Sequence, residues 1–160
     1  MSTTWTFPSF VDQLAVAVAA LPAITTLDPT PAVRVALPSA AEDISDMIVF
    51  GYEATDEKEK VSLGQTTQDE EVSLTCLARA IRYGSGDTVG KTARDRVVTY
   101  VAIVDDYLRE NKVLTSGVQM FRQMITTREF ALLPGFVGED QPAMFAAIVF
   151  DIDYRARTET

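Results

Sequence analysis

The chain has 160 residues, 47% of them hydrophobic and 23% charged, with 23 acidic against 14 basic residues and a net charge of −9. That length suits one domain with a core of its own, and the acidic balance excludes a bulk basic footprint for gripping nucleic acid. With no histidine and a single cysteine, Cys76, the chain excludes a Ser-His-Asp triad, a His-bearing or four-cysteine zinc site and an intramolecular disulfide.

Residues 1–7 read as an N-terminal arm, in which Trp5 and Phe7 have nothing local to cover them. Ser9 followed by Asp12 resembles a capping box. Phe10, Leu14, Val18 and Leu21 then fall on one face at helical spacing, which predicts a helix over residues 10–21, stopped by Pro22. The apolar run 14–21 is too short to span a membrane and has no basic residue before it, so neither a span nor a signal peptide is expected. Asp28-Pro29 and Pro31 mark a turn.

Alternation of Val33, Val35 and Leu37 predicts a short strand, and the nearly continuous apolar run in residues 47–53 predicts a second. Residues 53–60 carry Glu53, Asp56, Glu57, Lys58, Glu59 and Lys60 and read as a charged loop that ends at Leu63-Gly64. A second acidic knot, Asp69-Glu70-Glu71, opens a long strand over residues 71–83. One face of that strand carries Val72, Leu74, Cys76, Ala78 and Ala80. The other carries Ser73, Thr75, Leu77, Arg79 and Ile81, and is too apolar for free solvent. Cys76, set among Leu74, Leu77 and Ala78, reads as a buried inert thiol, and cysteine usage fits a reducing compartment.

Gly84-Ser85-Gly86-Asp87 is a turn, after which Asp87 or Thr88 caps a helix over residues 89–110. Its buried stripe is Val97, Tyr100, Val101, Val104 and Leu108, and Asn111 ends it in a left-handed conformation. Residues 117–127 alternate as a strand, and Pro134-Gly135 with residues 138–142 form a loop. The last strand, residues 144–155, has one series that passes from Phe145, Ala147 and Val149 to Asp151, Asp153 and Arg155, as if leaving the covered part of a sheet. Residues 158–160 are expected to be a flexible C-terminus. The order predicts one α+β domain over residues 1–160: a mostly antiparallel sheet of four to five strands with two main helices packed on one face.

Little in the sequence suits bond-breaking chemistry. Asp105 and Asp106 point in different directions on a helix, Asp151 and Asp153 read as solvated, and the glycine-rich turn lacks the Gly-Lys-Ser/Thr ending of a phosphate loop. No catalytic residue, cofactor or metal is expected. Interaction is expected instead, at three places. The acidic stretch Glu53, Asp56, Glu57, Lys58, Glu59 and Lys60, with Asp69 and Glu70, would form a lumen or a seam between subunits. Leu77, Arg79, Ile81, Phe145 and Val149 would form a subunit interface, and Trp5 and Phe7 a docking arm.

The pattern over residues 10–157 resembles the tail terminator, or head–tail joining, proteins of long-tailed bacteriophages. The resemblance rests on the amphipathic N-terminal helix, residues 33–38, and Ile48-Val49-Phe50-Gly51 before a polar stretch. Leu63-Gly64, Glu71-Val72-Ser73-Leu74, the capped helix with Arg94 near its start and the closing Tyr154-Arg155-Ala156-Arg157 complete it. The resemblance implies a structural virion protein of the tail neck, assembled in the host cytoplasm as a homo-hexameric ring. Such a ring caps the tail tube beneath the head connector or stopper protein, and DNA crosses its lumen without specific binding. It implies no enzyme activity and no membrane. Another neck protein or a tail tube subunit, the latter carrying a long hairpin that builds an inner barrel, is the alternative within the virion. A small-molecule-binding or enzymatic α+β domain is the alternative outside it.

Overall fold

A computed structural model describes residues 5–39, 45–60, 67–113 and 118–159. In chain order these form helix α1 (Phe7–Ala19), a short α2 (Pro22–Thr25), strands β1 (Ala32–Arg34), β2 (Met47–Lys60) and β3 (Thr67–Tyr83), helix α3 (Asp87–Glu110), and strands β4 (Val118–Val137) and β5 (Gln141–Glu159). The result is an α+β fold with five strands in the order β1-β2-β3-β5-β4. All pairs are antiparallel except the short parallel pair β1–β2.

Strand alternation sorts the sheet into two faces. Val72, Leu74, Cys76 and Ala78 of β3 stand beside Tyr154, Ile152, Phe150 and Ile148 of β5, and all are buried in one cluster with α1 and α3. Helix α3 contributes Ala93, Val97, Tyr100, Val104 and Leu108 at helical spacing, and α1 contributes Phe10, Val11, Leu14 and Val18. Phe10 is fully buried and stacks on Tyr154 at 4.1 Å between ring centroids, with 16° between planes. Burial of such a ring is worth roughly 2–3 kcal/mol, and the stacked pair adds about 0.5–1.5 kcal/mol.

The charged stretch of residues 53–60 is not a loop. It continues β2 and pairs with β3 from Glu53↔Thr75 to Lys60↔Gln68. Pairing with an ordered partner overrides the poor strand propensity of Glu, Asp and Lys. Pro134-Gly135 also lies inside β4 rather than in a loop, paired with Met144 and Ala143. Proline is tolerated there because β4 is an edge strand with a side that needs no donor. The true turn is residues 138–140. The C-terminal residues 158 and 159, expected to be flexible, pair with Gln68 and Thr67.

Helix boundaries also differ. α1 starts at Phe7, so the expected arm loses its last residue to the helix. Ser9 lies inside it, where its Oγ accepts a bond from Gln13 Nε2 at 2.7 Å rather than capping. α3 starts at Asp87 after Gly86, and Asn111 is extended (φ −131°, ψ 135°), not left-handed.

A bulge sets how closely α1 approaches the sheet. Between Val49↔Leu77 and Glu53↔Thr75 the register shifts, leaving Phe50, Gly51 and Tyr52 opposite Cys76. Gly51 adopts φ +63° and donates its N–H to Cys76 Sγ at 3.4 Å. A Cβ there would meet Val11 Cγ2 at 2.6 Å. Burial pushes the Cys76 thiol up to about 12, so at neutral pH it is a thiol, not a thiolate. Gly51→Ala combines left-handed backbone strain with a clash against α1 and is expected to cost about 1–3 kcal/mol. The readout is a lower urea midpoint at unchanged slope; an unchanged midpoint would mean the bulge and α1 adjust freely.

Candidate interaction site

The helices all pack on the face just described, so the odd-numbered residues of β3 and their neighbours form a second, helix-free face. It has an apolar end and a charged end.

At the apolar end the rows run Arg79–Ala147–Ala131, Ile81–Phe145–Leu133 and Leu77–Val149–Glu129 across β3, β5 and β4. Toward β1 this end is closed: Met47, Val49 and Ile81 are buried. It is open at Leu133 of β4, 61% exposed, and at Tyr83, the last residue of β3, 57% exposed. Leu77, Phe145 and Val149 are half-buried. Phe145 is held down over Gly135, where a Cβ would stand 2.8 Å from its ring. Arg79, expected at a subunit interface, turns within the chain and donates to the Ser45 carbonyl from Nε and Nη2 at 3.2 and 2.9 Å.

At the charged end the rows run Glu53–Thr75–Asp151–Thr126, Thr55–Ser73–Asp153–Met124 and Glu57–Glu71–Arg155–Arg122 across β2, β3, β5 and β4. Two shallow hollows of about 640 and 310 Å³ share Thr55 and Ser73 in their lining. Glu53, Arg128 and Asp151 border the larger, and Glu57, Glu71, Arg122 and Asp153 the smaller. Arg128 lies 3.5 Å from Asp151. Glu53 and Glu57 are exposed; the side chains of Asp56, Lys58, Glu59 and Lys60 lie outside what the structure describes.

The acidic knot is split by alternation. Asp69 and Glu71 fall on the helix-free face opposite Arg157 and Arg155. Asp69 is 5% exposed and accepts from Arg155 Nη2 at 2.7 Å and from Arg157 Nε and Nη2 at 2.8 and 3.2 Å. Those bonds, Arg157's first, hold its carboxyl below the usual carboxylate range against the opposing effect of burial.

Glu70 points the other way and corrects the expectation that it faces a lumen or seam. It is 1% exposed and accepts the backbone N–H of Thr6, the residue before α1, at 3.1 and 3.3 Å. Thr6 Oγ1 also bonds the Tyr154 hydroxyl at 2.8 Å. The carboxylate thus serves the positive end of α1 from the sheet. Trp5 stays 44% exposed, 6.3 Å from the Phe7 ring, while Phe7 packs against the chain's own core.

A second buried carboxylate, Asp46, closes the far end of β2. It accepts from Ile81 N at 2.8 Å, from Arg82 Nη1 at 2.9 and 3.0 Å, and from the Tyr100 hydroxyl. Burial, reinforced by Asp46, raises the Tyr100 pKa. Among the described residues no cluster of three or more carboxylates or Cys stands ready for a metal ion, and no helix is long and apolar enough to cross a membrane. No family model and no curated protein matches this sequence.

Sequence reasoning missed the arginine column, Arg122, Arg128, Arg155 and Arg157, beside the acids. The signal was present in the alternation of 151, 153, 155 and 157, but only the register places these residues beside 75, 73, 71 and 69.

Because the pKa of Asp69 is depressed on folding, its contribution is complete above its unfolded value of about 3.9 and is lost as pH falls through the lower folded value. Asp69→Asn is therefore expected to lower the urea midpoint at pH 7, and the gap from wild type should close as pH falls below about 4. A gap that is constant with pH would mean the side chain acts by packing alone.

Proposed function

We propose that this chain is a structural subunit of a long-tailed bacteriophage virion, of the tail terminator kind. It assembles as a homo-hexameric ring on the tail tube beneath the head connector, with DNA crossing its lumen unbound. The reading is supported by the apolar end of the helix-free sheet face. Tyr83 and Leu133 stand more than half exposed beside half-buried Phe145, Leu77 and Val149, and contiguous apolar surface of this kind marks a contact surface in a soluble protein. The apolar row through Leu77 and Val149 lies directly beside the charged row through Thr75 and Asp151 on the same face, so a contact that buries the patch reaches the charged end as well.

One observation favours the tail tube subunit as a second reading. Residues 53–60 pair with residues 68–75 within strands of 14 and 17 residues, and long paired strands are what the hairpin of the tube alternative calls for, while Leu63-Gly64 lies outside the described residues. The enzymatic alternative gains the two hollows, one over Glu53, Arg128 and Asp151 and one over Glu57, Arg122 and Asp153, but they are open and shallow, unlike an enclosed ligand pocket.

Native mass spectrometry and negative-stain electron microscopy separate these readings. The terminator reading expects closed rings of about six copies that do not stack. Rings that polymerise into long tubes favour the tube subunit. A monomer at every concentration overturns both.

A further inference from the structure

The sheet has two edges without a strand partner among the described residues. β4 pairs only with β5, and β2 beyond the three residues matched by β1 pairs only with β3. Each edge offers a row of N–H and C=O groups, and each has eight residues, 53–60 and 118–125, at the charged end of the sheet. Four strands, β2, β3, β5 and β4, alternate in direction across that end. An even number matters: a second copy placed beside β4 presents its β2 antiparallel, with its helix-free face continuing the same surface. The two edges are also opposite in charge on that face. Exposed Glu53 and Glu57 border one, and exposed Arg122 and Arg128 border the other.

We infer that the outer half of β2 in one copy pairs head to tail with the β4 edge of a second copy, with Glu53 and Glu57 set against Arg122 and Arg128. This rests on the ring reading and specifies its seam. Without stagger, Arg122 meets Glu57 of the next copy, since they end the same row. The stagger that closure requires moves in two-residue steps and keeps the same face. The contact is heterologous, so it closes into a ring when the rotation allows and runs on as a filament when it does not. A charged edge strand also serves to block pairing; opposite charge on the facing edge turns that block into selection for this one partner.

Two double variants test the seam: Glu53→Arg with Glu57→Arg, and Arg122→Glu with Arg128→Glu. Each alone sets like charges together and is expected to shift from ring to monomer in native mass spectrometry. A one-to-one mixture sets opposite charges at every seam and should restore rings of alternating copies. Either variant forming rings alone as wild type does, or a mixture of two folded variants that stays monomeric, overturns the seam. Should a variant lose its wild-type circular dichroism, hydrogen exchange on the wild type decides. Residues 53–60 and 118–125 should gain amide protection on assembly, and rings whose edges exchange as fast as in dilute monomer would refute the edge pairing while leaving the ring. A wild type that never assembles removes both.

Discussion

The period of two along β3 is the constraint on which the rest of the molecule depends. This strand is central, with β2 on one side and β5 on the other for most of its 17 residues. Its even positions commit to the helices and its odd positions to the helix-free face. A shift of one residue would bury Glu71, Ser73 and Thr75 beneath α1 and α3 and expose Val72, Leu74 and Cys76. The same period divides three consecutive acids into different roles. Asp69 and Glu71 meet arginines, and Glu70 meets the start of a helix.

Each long helix is tied to the sheet by a buried carboxylate as well as by apolar contact. Glu70 holds the start of α1, and Asp46 joins the start of β2 to the end of β3 and to Tyr100 of α3. Buried carboxylates are costly unless their lone pairs are filled. Asp46 takes donors from β3 and α3, and Glu70 takes the Thr6 N–H on both its oxygens, so each fixes a position that hydrophobic packing would leave free to slide. The bulge at Gly51 adds a steric limit on α1, through contact with Val11. α1 is thus located by a charge at its start and by a close approach along its flank.

Much of the architecture was legible in the sequence, because the alternation of residues 71–83 and 144–155 and the 3.6-residue stripe of α3 are driven by burial. The failures share one cause, which is that the deciding partner is distant in sequence. Residues 53–60 look like a loop until β3 is laid beside them. Ser9 looks like a cap until Glu70, 64 residues from Thr6, takes the role. Pro134 looks like a strand breaker until β4 proves to be an edge. The candidate site was legible as acids but not as a mixed surface. Local charge counting saw Glu53 to Lys60 and could not see Arg155 and Arg157 arriving from the other end of the chain.

That mixed surface changes where electrostatic repulsion can act. A net charge of −9 invites the picture of an acidic lumen that pushes phosphates away. On the charged end of the helix-free face, however, Asp69 is neutralised at contact distance by two guanidiniums, and Asp151 has Arg128 3.5 Å away. Screening over about 8 Å at physiological salt leaves such pairs nearly invisible at a distance. Described acids without an ion pair stand at the β2 edge of that face, as with Glu53 and Glu57, and also at Asp87 at the start of α3 and at Glu139 and Asp140 in the turn beyond β4. The strand rows that carry Asp69 and Asp151 therefore add little to the long-range field of the subunit, which comes from the acids that no arginine neutralises at contact distance.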